Sequence, residues 1–331
     1  MTSANVDVGR EAAENIFPTG SPQDQDVQAR TPLELFWRRF REDKLAVATL
    51  VFIVLLVLGA IFAPLIVKLF GVNPNTPDKN TLDSFGLPTG PSADHPFGVD
   101  DIGRDVFART IYGARVSLLV AIVATALSVT VGVISGMFAG FYRGWVDTVI
   151  SRTIDVLLAF PILLLAIGVA SACSLGKGGQ AGCLGGLIKP GITLVIFVIA
   201  FVNWTYIARI IRGQVLSLRE KEFIEAARSL GASNTRIVFR EVLPNLVAPI
   251  IVYSTLIIPQ NILFEAALSF LGVGVQPPTA SWGQMIADAQ ASFDTAWWFL
   301  LFPGLALLFT VLAFNIVGDG LSDALNPRSD R

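Results

Sequence analysis

Residues Glu225–Pro244 read EAARSLGASNTRIVFREVLP, a charged and helix-prone segment between two apolar runs. The flanking runs, Pro190–Ala208 and Leu246–Phe264, are each long enough to cross a membrane, because a spanning helix needs about 20 apolar residues. A structured polar segment between two spans must face the aqueous phase, where another molecule can contact it. The sequence therefore predicts a membrane protein with a solvent-facing helical hairpin.

The residue pattern of this segment predicts two short helices. Ser217–Glu220 fits a capping box, in which a serine hydroxyl and a glutamate satisfy free N–H groups of the first turn. Apolar residues then recur at helical spacing on one narrow stripe: Phe223, Ala226, Ala227 and Leu230. Gly231 is placed to end the first helix in a left-handed turn, and Ser233 to cap the second. Pro244 is expected to end the second helix.

The composition extends the membrane prediction to the whole chain. Of 331 residues, 53% are hydrophobic and only 15% are charged, and the mean hydropathy is positive. A soluble domain of this length would need more charge to cover its surface. Six uncharged apolar runs are long enough to span: Leu45–Val67, Val116–Tyr142, Val156–Gly176, Pro190–Ala208, Leu246–Phe264 and Thr295–Gly318. We expect an all-α polytopic membrane protein with six transmembrane helices.

Basic residues indicate which ends of these spans face the cytoplasm, where lysine and arginine are enriched. Four stand just before the first span, between Arg38 and Lys44, and six more lie between Arg212 and Arg240. The loop after the fifth span has no lysine or arginine. Both termini and the loop 213–245 are therefore predicted to be cytoplasmic.

The chain divides into segments of different character. Residues 1–30 are polar, lack a secretory signal and are predicted to be a disordered cytoplasmic tail. Aromatic residues interleaved with arginines predict an interfacial amphipathic helix over 31–44. The remaining expected segments are the first span (45–67), an external loop with an amphipathic helix (68–115), a core with spans two to six (116–318) and a cytoplasmic tail (319–331).

Cys173 and Cys183 are the only cysteines, and they lie ten residues apart in a glycine-rich loop predicted to be external. In an oxidising compartment such a pair can close a small disulfide loop. Two free thiols at a helix end are the alternative. A metal site is not expected, because no further ligands lie nearby.

Two polar residues mark the end of the fifth span. Glu265 interrupts it, and Asn261 stands one helical turn earlier. Ionisable residues within membranes are rare and usually face a polar interior. Asn261 and Glu265 therefore either line a translocation pathway or form structural hydrogen bonds with a neighbouring helix. In span two, three small residues at four-residue spacing permit close packing with a neighbour or a partner subunit: Gly132, Gly136 and Gly140.

The sequence gives little support for a catalytic site on this chain. Gly176-Lys177 resembles the end of a phosphate-binding loop but lacks the upstream glycine and the following Ser or Thr. The single histidine, His95, falls in a predicted external loop, so an intramembrane serine protease is not indicated. An aspartyl protease would need a second embedded carboxylate beside Glu265. We expect no catalytic residue, metal or cofactor on this chain.

Four motifs, in order along the chain, resemble the C-type permease subunits of dipeptide and oligopeptide ABC importers. One is Glu225–Ala227 with Gly231 six residues after the glutamate and Leu243-Pro244 beyond. The others are His95–Arg115, Leu268–Gly283 and Gly318–Arg328. Glu241 and Asn326 depart from the family pattern. In that family the first motif is the EAA loop, a coupling helix that docks on a cytoplasmic ATPase.

The resemblance implies a type I ABC importer permease fold in the bacterial inner membrane. It implies ATPase-coupling roles for these residues: Glu225, Ala226, Ala227, Leu230, Gly231, Ser233, Leu243 and Pro244. The implied partners are a B-type permease, two ATP-binding subunits holding ATP and magnesium, an external substrate-binding protein, a peptide substrate and the lipid bilayer, with no nucleic acid. Permeases for nickel, glutathione or another small solute remain alternatives, as does a self-contained secondary transporter.

Overall fold

The computed structural model describes residues 32–174, 182–183 and 186–325, and the regular elements in these ranges are all helices. They are α1 (Pro32–Glu42), α2 (Lys44–Ile61), α3 (Ala63–Leu69), α4 (Val106–Tyr142), α5 (Gly144–Ala159), α6 (Ile162–Ser174), α7 (Ile192–Arg219), α8 (Glu222–Ser229), α9 (Asn234–Ile237), α10 (Leu243–Phe270), α11 (Trp282–Ala289) and α12 (Trp297–Leu325). A short 3-10 turn covers Lys79–Thr81, and a π-helical stretch covers Val238–Val242. The all-α prediction is confirmed, while the predicted tail 1–30 lies outside the described residues.

Within the described residues, five helical segments are long and apolar enough to cross a membrane. They are α2, α4, α7, α12 and the continuous helix Asn234–Phe270. A sixth crossing is supplied by α5 and α6 if this pair, bent by 93°, counts as one span. The predicted third span, Val156–Gly176, is therefore not one straight helix. The bend has a local cause, because Phe160 is extended and precedes Pro161, whose ring disfavours helical geometry in the residue before it.

Helix α4 begins ten residues before the predicted second span. The separate amphipathic helix expected within 68–115 does not form, since Val106 and Thr110 belong to the first turns of α4 and are buried. Asp105 caps the helix by accepting a hydrogen bond from the Ala108 N–H at 2.7 Å. The Trp282 indole donates to the Thr110 carbonyl at 3.0 Å. A cap and a tertiary contact thus extend the helix beyond its apolar run.

The core of the bundle is the contact between α4 and α7. A Cβ added at Gly136 would lie 2.6 Å from the Ala208 carbonyl oxygen, and one at Gly132 would lie 2.6 Å from Ile207. Gly140 meets Val215 in the same way. The small-residue face therefore packs against a neighbouring helix of this chain, where the absence of side chains lets the backbones approach closely.

The two ends of the bundle carry different structures. We call the end with α8 the hairpin end, and the end with α11 and residues 271–281 the loop end. Six crossings, with α5 and α6 taken as one, return the chain to the end at which it started. Accordingly, α1 and the last turns of α12 meet, with Gly320 against Phe40 and Ala46. The loop end is held by buried ion pairs, of which Arg104–Asp100 at 2.6 Å is the shortest.

Candidate coupling surface and transport groove

Helix α8 begins later than the sequence predicts. Ser217 lies inside α7, which continues to Arg219, so the predicted capping box is wrong. Helix α7 continues because its apolar face still has partners here: Val215 is buried and Leu218 packs on the same cluster. Lys221 precedes the first residue of α8 and makes no side-chain cap.

The buried and exposed faces of α8 differ from a simple amphipathic pattern. Ile224 is fully buried, in a cluster with Val215 and Ile237, and Ala227 packs against it. Phe223 and Leu230 are 40% and 88% exposed, and Ala226 and Glu225 are also exposed. The predicted stripe is thus largely free in this chain, while Ile224, which the stripe omitted, anchors the helix. The sequence signal for this anchor was its i, i+3 spacing with Ala227.

The turn after α8 has the predicted geometry. Gly231 adopts φ +78°, in the left-handed region. Its N–H donates to the Arg228 carbonyl, and the Ala232 N–H donates to the Ala227 carbonyl, both at 3.0 Å. These two bonds form a Schellman motif. Ser233 then caps α9 by accepting from the Arg236 N–H at 3.4 Å.

The second helix of the hairpin does not end at Pro244. Helix α9 runs through the π-helical stretch into α10, so Asn234 to Phe270 form one continuous helix. Proline lacks an N–H and crowds the preceding turn, and a π turn relieves this within a helix. The Asn245 side chain donates to the Glu241 carbonyl at 2.7 Å. The expectation of a helix end at Pro244 is wrong, and the hairpin is directly attached to α10.

Arginines fasten the base of the hairpin to neighbouring helices. Arg219 donates to the Phe141 carbonyl at 2.5 Å, and Arg143 pairs with Glu220 at 2.6 Å. About two helical turns before Arg219, Arg212 makes two hydrogen bonds to Asp147 on α5, at 2.5 and 2.8 Å. These partners are 65 to 78 residues apart in the sequence, so no local pattern pointed to them.

A groove of about 510 Å³ lies between α7 and α10. Its polar lining residues are Asn203, Tyr206, Tyr253 and Gln260, and its apolar ones are Ile162, Ile207, Ile210, Leu256, Ile257 and Phe264. Among these lining residues none is charged. Two phenols and two amides on apolar walls offer hydrogen bonds in both directions without a fixed charge.

Asn261 and Glu265 do not line this groove. Both side chains are fully buried between helices. Asn261 accepts from the Asn203 amide at 2.5 Å and donates to Thr125 at 2.7 Å. Glu265 accepts from serine hydroxyls of α4 and of its own helix. Both residues therefore form the interhelical hydrogen bonds that were the structural alternative, and their role in a translocation pathway stays a prediction. Asn203 is the neighbour that reaches the groove wall.

The structure joins Cys173 and Cys183 in a disulfide. Cys173 is buried near the end of α6, against α7. The backbone of Cys183 exchanges two hydrogen bonds with Ile188, at 2.9 and 3.2 Å. The disulfide therefore ties the end of α6 to the segment that leads into α7.

This architecture matches a known family of transport proteins. Residues 132–331 match the family described as "Binding-protein-dependent transport system inner membrane component". The chain belongs to this family. Residues 31–87 also match the N-terminal TM domain of oligopeptide transport permease C. Family membership confirms the recognised resemblance and the inner-membrane localisation.

Relatives cover nearly the whole chain. A dipeptide transport system permease protein of Alkalihalophilus pseudofirmus is 40% identical over 94% of this chain and 95% of that protein. A glutathione transport system permease protein of Escherichia coli O6:K15:H31 is 41% identical over 96% of this chain and 97% of that protein. Among solved structures, the inward-facing MetNI methionine ABC transporter aligns with a TM-score of 0.53 at 18% identity, covering 66% of this chain and 96% of that one. The last comparison bears on the fold alone.

Proposed function

We propose that this chain is the C-type permease subunit of an ABC importer that carries di- or oligopeptides into the cytoplasm. The observation that carries the proposal is the state of α8: its inner face is anchored by Ile224 while Leu230 stays 88% exposed. A helix that is packed against its own chain on one face and carries an exposed apolar side chain on the other suits docking by a partner protein. Since the sequence lacks a complete phosphate-binding loop, the partner would be a separate ATPase.

The charge distribution supports a cytoplasmic hairpin end. Arginines and lysines are concentrated on and around the hairpin, whereas residues 271–294, at the loop end, carry none. Two ATP-binding subunits holding ATP and magnesium would dock at the hairpin end, one on this chain and one on a B-type permease. An external substrate-binding protein would dock at the loop end.

The groove supports peptide as cargo. Peptides of varied sequence share backbone N–H and C=O groups, which the Tyr206 and Tyr253 hydroxyls and the Asn203 and Gln260 amides can bind. An uncharged wall repels neither acidic nor basic side chains. Nickel would require imidazole, thiolate or carboxylate ligands, and none is present among the residues lining this groove. Peptides, including the tripeptide glutathione, therefore fit better than a metal ion.

The mechanism follows from the attachments of the hairpin. Closure of the ATPases would displace α8, which is packed on α7 and continuous with α10 through the Gly231 turn. Since α7 and α10 form the groove walls, their tilt would change which end of the groove is open. The binding protein would deliver the peptide, and the B-type permease would supply the opposite wall.

The docking assignment is tested with Leu230→Ser, using Phe85→Ser as the matched control. Phe85 is 86% exposed and lies in the loop preceding α4, so both changes remove one exposed apolar side chain. Burial of a leucine side chain contributes about 1.5–3 kcal/mol. Leu230→Ser should therefore weaken ATPase binding about ten- to hundred-fold in detergent-purified complexes. Equal ATPase affinity for both variants would refute the docking assignment.

The importer assignment is tested by uptake of a labelled dipeptide into cells that express the full complex. Uptake should disappear when the ATP-binding subunits are left out, although this permease remains in the membrane. Persistent uptake without them would instead identify a self-contained secondary transporter. Nickel uptake in place of peptide uptake would overturn the cargo assignment.

A further inference from the structure

At the loop end, two serine hydroxyls hold the segment that joins α10 to α11. The Val275 N–H donates to Ser269 Oγ at 3.1 Å, and the Trp282 N–H donates to Ser117 Oγ at 3.3 Å. A backbone N–H can only donate, so both hydroxyl oxygens act as acceptors and their protons remain available.

Both hydroxyl protons converge on one carboxylate. Ser269 donates to Glu265 Oε1 and Ser117 donates to Glu265 Oε2, each at 2.8 Å. Each carboxylate oxygen thus holds one end of the segment through one serine. Glu265, Ser117 and Ser269 are all buried, and no salt bridge to Glu265 occurs within the described residues.

The segment and the first turn of α11 are also in backbone contact with α10. A Cβ at Gly274 would overlap Ser269, and one at Gly283 would lie 2.5 Å from the Ala266 Cα. This packing excludes water from the serine hydroxyls, so a broken bond there is not replaced by solvent. We call Glu265, Ser117 and Ser269 the carboxylate clamp.

We propose that Glu265 is a positioning residue that makes residues 271–281 and α11 move with α10 and α4 during transport. The transport role rests on the proposed function, whereas the clamp itself does not. Glu265 lies on the same continuous helix as the Ser233 cap, about 48 Å away at 1.5 Å per residue. It also follows the groove residue Phe264 directly. A tilt that begins at the hairpin would thus move the loop end of α10, the joining segment and α11 together.

The variants separate the clamp from general packing. Glu265→Gln keeps the shape but replaces one acceptor oxygen with a donor, so one serine loses its acceptor. Ser269→Ala removes a single arm and provides a milder test if the glutamine variant is poorly produced. Ser128→Ala is the matched control, because Ser128 is a buried serine of α4 whose hydroxyl, among the described residues, bonds to the Ala124 carbonyl of its own helix and to no other group.

Hydrogen–deuterium exchange of the assembled complex in nanodiscs measures the clamp directly. In this measurement, the backbone amides of proteolytic fragments that cover 271–283 should exchange about ten-fold faster in Glu265→Gln and Ser269→Ala than in the native chain. Peptides covering α8 should be unchanged, and Ser128→Ala should match the native chain throughout. Unchanged exchange at 271–283 in both clamp variants would overturn the clamp.

Uptake and ATP hydrolysis then test the positioning role. In proteoliposomes, the clamp variants should transport at least about five-fold less peptide per ATP hydrolysed, with hydrolysis retained. Loss of hydrolysis in the same proportion, or faster exchange with native uptake per ATP, would show that the clamp is merely structural and overturn the proposal. Absence of peptide uptake by the native complex would refute the proposed function instead, leaving the exchange result in force.

Discussion

Replacing Gly231 by valine should reduce peptide uptake per ATP hydrolysed while leaving the chain in the membrane. Gly231 has φ +78°, and a Cβ there would meet no atom within 4 Å. The cost of the substitution is therefore conformational and not a clash. The left-handed region costs a non-glycine residue about 1–2 kcal/mol, and a β-branched residue lies at the upper end.

The alternative open to the variant is to leave the left-handed conformation. That would break the two hydrogen bonds of the turn, from the Gly231 and Ala232 N–H groups, both 3.0 Å long. Each contributes a net of about 0.5–1.5 kcal/mol, so the loss is about 1–3 kcal/mol in total. Strain and loss are similar in size, and the native and opened turns should therefore both be populated. We expect uptake per ATP to fall about two- to ten-fold.

The assay reconstitutes the importer in liposomes and measures labelled dipeptide uptake and phosphate release together. Gly231→Asn is the control, since asparagine tolerates the left-handed conformation far better than valine. Immunoblotting establishes equal amounts of each variant. If the valine variant transports as much peptide per ATP as the native and asparagine chains, the turn is not required for coupling and our reasoning is wrong.

Three further predictions concern packing and covalent structure. Gly136→Val should abolish stable insertion of the folded chain. Overpacking costs about 1–3 kcal/mol even where side chains can adjust, and here the added Cβ would lie 2.6 Å from the Ala208 backbone oxygen. The control Gly213→Ala, whose added Cβ would meet no atom within 4 Å, should accumulate normally in membranes. Trp282→Phe should lower thermal stability in detergent by about 1–2 kcal/mol through loss of its buried indole hydrogen bond. Because Cys173 and Cys183 are paired, the native unreduced protein should not react with maleimide. After denaturation and reduction, each chain should bind two maleimide molecules. Labelling before reduction would contradict the disulfide.

The helices themselves were largely predictable. Apolar runs of about 20 residues have no stable state in lipid except a helix or a closed barrel, which is why five of the six predicted runs contain a helix long enough to cross a membrane. The Gly231 turn was also predictable, because only glycine adopts the left-handed conformation without strain. The prediction of one straight helix for the third run was wrong because Pro161 disfavours helical geometry at Phe160. Hydropathy does not detect this local signal.

The faces of α8 were not predictable from spacing alone. Helical periodicity identifies residues on one side but not what that side contacts. Phe223 and Leu230 belong to the predicted stripe yet are exposed, while Ile224 is fully buried by helices distant in sequence. The predicted coupling residues lie together at the hairpin end. The arginine contacts that fasten this end, a hydrogen bond to α4 and an ion pair with α5, could be seen only in the folded chain.

Composition, charge and glycine placement in the sequence therefore determined a helical membrane protein with a capped polar hairpin, because these features act through solvation and local backbone geometry. Only the tertiary structure decided what Asn261 and Glu265 do. The sequence allowed either a pathway or a helix contact, and their role depends on which side chains surround them. Ser117 lies 148 residues from Glu265 along the chain, and such long-range partners are selected by the packing of α4 against α10, not by any local pattern.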